Sequence, residues 1–255
     1  MSVNSMLPRM RHPEISQEEY KKIEIQARRK LMRSNGLCDP DCEICGGLGQ
    51  IRIGDGRVNF CPNLSMWDRP GSFIYGISRE EAEDFHWEKI LLVNNIGRAV
   101  EAIKSVLDDG YGMVYIHGLS GLGKTLTLKT AVVESLRKKN LSCYVRMAEI
   151  LDHLRQGFNV QNSDECERLK RWSEIPILCI DEFDRVRSTE YSNERIFVLM
   201  DRRYELANKK KVVTIIASNS APNQLSGYLF DRIRDGRFFI FELSGKSLRP
   251  GMERK

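Results

Sequence analysis

The stretch Gly118-Leu119-Ser120-Gly121-Leu122-Gly123-Lys124-Thr125 constrains this chain more than any other. It follows the apolar run Met113-Val114-Tyr115-Ile116-His117, which reads as a strand, and opens a helix-forming stretch from Lys124 to about Lys138. The spelling G-x-x-x-x-G-K-T between strand and helix is that of a phosphate-binding loop. Glycines let the backbone curl so that several N–H groups point at one phosphate, and the helix adds its positive end. Gly118, Ser120, Gly121, Leu122, Gly123, Lys124, Thr125 and Leu126 form the candidate cradle. Lys124 would bridge the outer phosphates of a nucleoside triphosphate, and the Thr125 hydroxyl would take a magnesium coordination site.

From about Phe85 onward, helices and strands alternate. The pattern predicts a helix over Leu91–Leu107, a strand over Ser142–Met147, and helical stretches around Leu151–Arg155 and Cys166–Trp172. A strand over Ile177–Ile180, a helix over Asn193–Ala207, and strands over Val212–Ile216 and Phe238–Phe241 follow. Near-continuous apolar strands separated by helices indicate a parallel sheet covered on both faces. This part is α/β.

Two further strand ends carry chemistry. Ile177-Leu178-Cys179-Ile180 runs into Asp181-Glu182. Asp181 would help hold the magnesium, and Glu182 would orient and activate the attacking water. Paired acids favour hydrolysis over mere nucleotide binding. Val213-Thr214-Ile215-Ile216 ends in Ala217-Ser218-Asn219, where Asn219 could reach between the acids and the terminal phosphate to sense it.

The N-terminal part has a different texture. Ser16-Gln17-Glu18-Glu19 resembles a capping box opening a charged helix to about Ser34. From Cys38 to about Gly76, Gly, Pro and Asp are frequent and apolar patterning is weak. Such a stretch cannot build its own core, so something other than hydrophobic burial should hold it. Cys42-x2-Cys45 followed by Gly46-Gly47 is a zinc-knuckle spelling, and Cys61 supplies a third thiolate. Cys38 would complete a four-thiolate structural site, with His12 or His86 as alternatives for the fourth position. Four thiolates leave no open position for catalysis, and the ion would supply the missing folding energy.

Composition removes other classes. The 255 residues carry 40 Lys and Arg against 35 Asp and Glu, a net charge of +5 that suits a polyanionic partner without requiring one. No apolar run approaches the ~20 residues of a membrane span, and the start of the chain has no apolar leader. The seven cysteines are an odd number, with Cys143, Cys166 and Cys179 in core or helix segments. A reduced, cytoplasmic protein is expected.

Asp181-Glu182, Asp201-Arg202-Arg203-Tyr204, Ser218-Asn219, Phe230-Asp231-Arg232-Ile233 and Ser247-Leu248-Arg249 occur in an order that resembles the DnaC/DnaI/IstB family of AAA+ ATPases. These are replicative helicase loaders and transposase-helper ATPases. The resemblance implies an AAA+ core over residues 85–255 without a C-terminal lid, preceded by a helical, zinc-binding, partner-docking module over residues 1–80. It implies ATP as nucleotide, self-association into a ring or spiral, and Arg232 as the arginine finger completing a neighbour's site. Arg234 and Arg237 lie close enough to exchange roles with Arg232. Arg249 would contact nucleotide in its own subunit. The expected partners are a replicative DNA helicase and single-stranded DNA, the latter through Arg146, Arg155, Arg168, Lys170, Arg185 and Arg187. Two other readings stay open: an IstB-like transposition helper, and a nucleotide-gated DNA- or partner-binding protein.

Overall fold

Five parallel strands organise the larger part of the chain, in the order β4-β5-β6-β3-β7. They are β3 (Gly112–Gly118), β4 (Ser142–Arg146), β5 (Ile177–Asp181), β6 (Val213–Ser218) and β7 (Phe238–Leu243). The computed structural model describes residues 16, 42–45, 50–52, 58–61, 77, 79–93, 95–138, 140–156, 162–225, 227–234 and 238–248. The chain divides into two compact units, Met1–Pro70 and Gly71–Lys255.

Among the described residues of the second unit, the α-helices are α1 (Arg79–Ala82), α2 (Ile96–Asp109), α3 (Lys124–Arg137), α4 (Met147–Gln156), α5 (Asn162–Glu174), α6 (Glu190–Asn208) and α7 (Gly227–Arg234). Every residue of β5 and β6 is buried, as strands covered on both faces require. The edge strand β7 departs from that pattern: Phe239 and Ile240 are exposed. Cys143 and Cys179 are buried in the sheet, where burial pushes both thiols up, while Cys166 on α5 is exposed.

Two helix starts differ from the sequence reading for local reasons. The helix expected from Leu91 begins at Ile96, after Asn95 takes a left-handed conformation at φ 64°, and Leu91, Leu92 and Val93 stay exposed. Helix α6 starts at Glu190 instead of Asn193, because Thr189 and Ser192 cap it reciprocally. Serine replaces the usual Glu or Gln at the third position, so the pattern is hard to see in sequence.

Arg203, on α6, is fully buried and aligned with the apolar stripe Ile196, Leu199, Met200 and Ala207. Its guanidinium donates to the carbonyls of Trp172, Ser173, Ile175 and Val213 and to the Thr214 hydroxyl. Burial lowers its pKa to about 9. Those bonds tie the end of α5, the approach to β5 and the start of β6 to one side chain. The strand ends that carry Asp181 and Asn219 are thereby set in one rigid frame.

In the first unit, β1 (Gln50–Arg52) and β2 (Val58–Phe60) form an antiparallel pair. Cys42–Cys45 make a turn, and Cys61 directly follows β2. The helix expected from Ser16 to about Ser34 lies outside the described residues, Ser16 apart.

Candidate functional site

The strand order decides what meets at the top of the sheet. β6 lies between β3, which runs into the phosphate-loop sequence, and β5, which runs into the acid pair. The Asn219 end of β6 is therefore inserted between the other two. A cavity of about 310 Å³ opens there, lined by loop residues including Ser120, Lys124, Thr125 and Leu126, and by Asp181, Glu182, Arg185 and Asn219.

The loop conformation depends on its glycines. Gly118 and Gly123 have φ of 141° and 92°, which L side chains rarely adopt. A Cβ on Gly118 would also lie 2.3 Å from the Leu243 carbonyl oxygen. The loop thus rests directly against the end of β7. A second tie comes from the Leu248 N–H, which donates to the Gly121 carbonyl at 2.7 Å. Leu122 is buried, so its contribution to a cradle is its backbone.

Lys124 is the first residue of α3, and its ammonium donates to the carbonyls of Gly118 and Leu119 and to Asn219 Oδ1, at 2.6, 2.9 and 3.1 Å. Thr125 donates its hydroxyl to Asp181 Oδ2 at 2.7 Å. Tyr144 donates to the same oxygen at 2.8 Å, and the Glu182 N–H donates to Oδ1 at 2.8 Å. A hydroxyl and a carboxylate this close, both hard oxygen donors, fit a magnesium ion. Glu182 itself has φ 48°, a strained value for a non-glycine residue, and its carboxylate pairs with Arg185 at 3.1 Å.

Asp184 holds Asn219 from behind. Its carboxylate accepts from the Asn219 N–H at 3.0 Å and from the Ser220 hydroxyl at 2.9 Å. Burial raises its pKa, but those hydrogen bonds outweigh burial and leave it below the usual carboxylate range. Tyr115 adds a bond to the Ser220 carbonyl.

Arg232 is not among the cavity's lining residues. It pairs with Asp201 at 2.9 Å and lies over the Tyr204 ring, 4.7 Å from its centroid. Two elements of the quoted residue series, one on α6 and one on α7, thus meet in space. Arg234 is exposed; Arg237 and Arg249 lie outside the described residues.

The cysteines also meet. The Sγ atoms of Cys42, Cys45 and Cys61 all lie within 4.8 Å of one another, with Cys42 and Cys61 3.6 Å apart, and all three residues are buried. Tetrahedral zinc with bonds of about 2.3 Å sets its sulfurs roughly 3.8 Å apart. The trio therefore fits three corners of such a site. Backbone N–H bonds from Cys45 lower the Cys42 thiol to about 6, favouring the thiolate that a metal requires. Cys38 and His12 lie outside the described residues. His86, the other alternative ligand, has its Nδ1 engaged by Arg137 and Glu134.

Of the basic candidates for DNA, Arg155 pairs with Asp152 and Arg168 donates to the His153 carbonyl. Arg185 lines the nucleotide cavity, spanning Glu182 and the Ser120 hydroxyl. Sequence reasoning assigned nothing to Tyr144 or Asp184. The alignment of Arg203 with the apolar stripe of α6 could have revealed its burial. The reach of Tyr144 depends on which strand lies beside β4, and nothing local to the sequence specifies that.

A parallel sheet with β6 inserted between the loop-bearing and acid-bearing strands is a P-loop ATPase arrangement, which AAA+ ATPases have. The family model for the bacterial DnaA ATPase domain matches residues 92–239, and the chain belongs to that family. The chain is similar to the chromosomal replication initiator protein DnaA of Aliarcobacter butzleri (strain RM4018), at 27% identity over 145 residues. That match covers 57% of this chain and 31% of the relative, so the chain spans about a third of the length of the curated protein it matches. The replication initiator DnaA bound to AMPPCP and single-stranded DNA shares the fold, with a TM-score of 0.52, 21% identity, and coverage of 65% of this chain and 50% of that one. The DnaC helicase loader does so with a TM-score of 0.50, 17% identity, and coverage of 64% and 96%. The core shares its fold with DnaI and DnaC as well as with DnaA. Among the described residues, no helix is long and apolar enough to cross a membrane.

Proposed function

We propose that this protein is an ATP-dependent loader of a replicative DNA helicase, acting in the cytoplasm as an AAA+ assembly on single-stranded DNA. The observation that carries the reading is the convergence of Lys124, Thr125, Asp181, Glu182 and Asn219 on one cavity. In it Lys124 binds the outer phosphates of ATP, Glu182 orients the attacking water, and Asn219, bonded to Lys124, senses the terminal phosphate. Thr125 and Asp181 hold magnesium, which supplies charge neutralisation across the phosphates. Arg232 completes the site of an adjacent subunit, and Arg249 contacts nucleotide in its own. Residues 1–80 form the partner-docking module, held by zinc on Cys42, Cys45, Cys61 and Cys38.

The match to DnaA favours a second reading, a replication initiator. Pull-down of the full chain with ATP, against a replicative helicase, a transposase and origin-like duplex DNA, separates these. Retention of the helicase is the expected result. Retention of the transposase alone would hand the protein to the transposition helpers, and retention of DNA alone to the initiators.

A further inference from the structure

In the β4–β5 ladder, Tyr144 lies opposite Cys179 and Arg146 opposite Asp181. Tyr144 therefore starts two residues short of the acid, about 6.6 Å along the strand. A phenol is long enough to cover that distance, and its hydroxyl lies 2.8 Å from Asp181 Oδ2. Phenylalanine would fill the same apolar space without bringing a polar atom that needs a buried partner. Lys129 lies one helical turn beyond Thr125 on α3, with its ammonium 5.5 Å from the Tyr144 ring centroid. Lys129 is itself held, over the Phe85 ring and beside Glu81. A phenol keeps its proton at neutral pH, so the hydroxyl is a donor to Asp181.

Asp181 accepts three hydrogen bonds with distinct consequences. The Glu182 N–H fixes Oδ1, whereas Thr125 and Tyr144 share Oδ2. Thr125 is a candidate cation ligand in its own right. Tyr144 is the donor on Oδ2 whose hydroxyl has no role in the phosphate cradle. We infer that Tyr144 is a positioning residue of the cation site, its hydroxyl holding the Asp181 carboxylate in the plane that sets it beside Thr125. This rests on reading the cavity as a magnesium–nucleotide site.

The test is a magnesium titration of AMPPCP binding to the 255-residue chain, wild type against Tyr144→Phe. Without magnesium, in EDTA, the two proteins should bind AMPPCP equally, because Lys124 and the loop are untouched. With magnesium, the midpoint for the variant should rise about tenfold, the lower end of the loss seen when a ligand's outer hydrogen-bond partner is removed. The same substitution in an Asp181→Asn background should shift nothing further. Thermal unfolding of the variant within a few degrees of wild type separates positioning from general damage. An unchanged magnesium midpoint in Tyr144→Phe would overturn the inference, as would an equal loss of affinity in EDTA. If wild-type binding of AMPPCP ignores magnesium, the reading of the site fails first and takes the inference with it.

Discussion

Asp181 and Cys61 are both almost wholly buried, yet they are held in opposite ways. Asp181 ends a strand paired on both sides, and the neighbouring β6 is fixed to α5 and α6 through Arg203. Apolar burial and ladder hydrogen bonds place its backbone, and Thr125, Tyr144 and the Glu182 N–H hold its carboxylate, so the site is formed by the fold. Cys61 follows a three-residue strand paired with another of three residues, and its sulfur lies close to the thiols of Cys42 and Cys45. A two-stranded pair of that length has little stability of its own. One site is positioned by a core. On the proposed zinc reading, the other is positioned by the ion it binds.

The largest effect should come from removing the metal. Structural zinc contributes about 10 kcal/mol or more to folding when its ligands have no independent framework. Metal analysis should find about one zinc per chain, and a strong chelator should abolish the amide protection of residues 42–61 while AMPPCP binding persists. Protein prepared without chelators that contains no zinc would remove the contrast altogether. Full occupancy in Cys38→Ser would move the fourth ligand elsewhere.

Arg232 sharpens the comparison from the nucleotide side, since the frame can preform only what lies within one chain. A finger supplied by a neighbour is worth ~10³-fold in some NTPases, and the planar guanidinium suits two phosphate oxygens at once. Arg232→Ala should bind AMPPCP normally and lose hydrolysis on that scale. Adding Lys124→Ala subunits, which retain Arg232, should restore part of it in mixed assemblies. If Arg234→Ala loses activity and Arg232→Ala does not, the assignment passes to Arg234. Glu182→Gln comes next, with binding kept and turnover down ~10²-fold. Wild-type turnover in that variant would end its role in orienting water.

Much of the nucleotide site was legible because its parts are local. The phosphate-loop spelling includes its own strand and helix, and Asp181-Glu182 directly continues an apolar run. Which strand adjoins which was not legible, since that depends on pairing across the sheet. The order β5-β6-β3 sets Asn219 beside Lys124, and the β4–β5 register brings Tyr144 to Asp181. Arg185 illustrates the same limit. The resemblance made it a candidate for DNA, and its place at the nucleotide cavity follows from the turn at Glu182, which the sequence does not show. The start of α2 failed for a different reason: Leu91-Leu92-Val93 is apolar enough to extend a helix, but Asn95 adopts a left-handed turn that ends the pattern.

The smallest expected effect tests whether the preformed site depends on a single charge. Asp184 accepts from the Asn219 N–H and the Ser220 hydroxyl, and these bonds keep its folded pKa below the ordinary 3.8. A carboxylate depressed in the folded state contributes stability that is fully present above its unfolded value and is lost as pH falls through the lower folded value. The group is partly exposed, so screening by water limits the contribution to about 1 kcal/mol. Asp184→Asn retains the side-chain shape but removes the charge. Wild type should therefore melt a few degrees above the variant at pH 6, with the gap closing below pH 4. Because the Asn219 side chain accepts from Lys124, AMPPCP affinity should weaken modestly in the variant at neutral pH. A melting gap that is the same at pH 6 and pH 3 would mean that Asp184 acts through its shape and not its charge. The frame around Asn219 would then be set without the Asp184 charge, unlike Asp181, whose carboxylate accepts three hydrogen bonds.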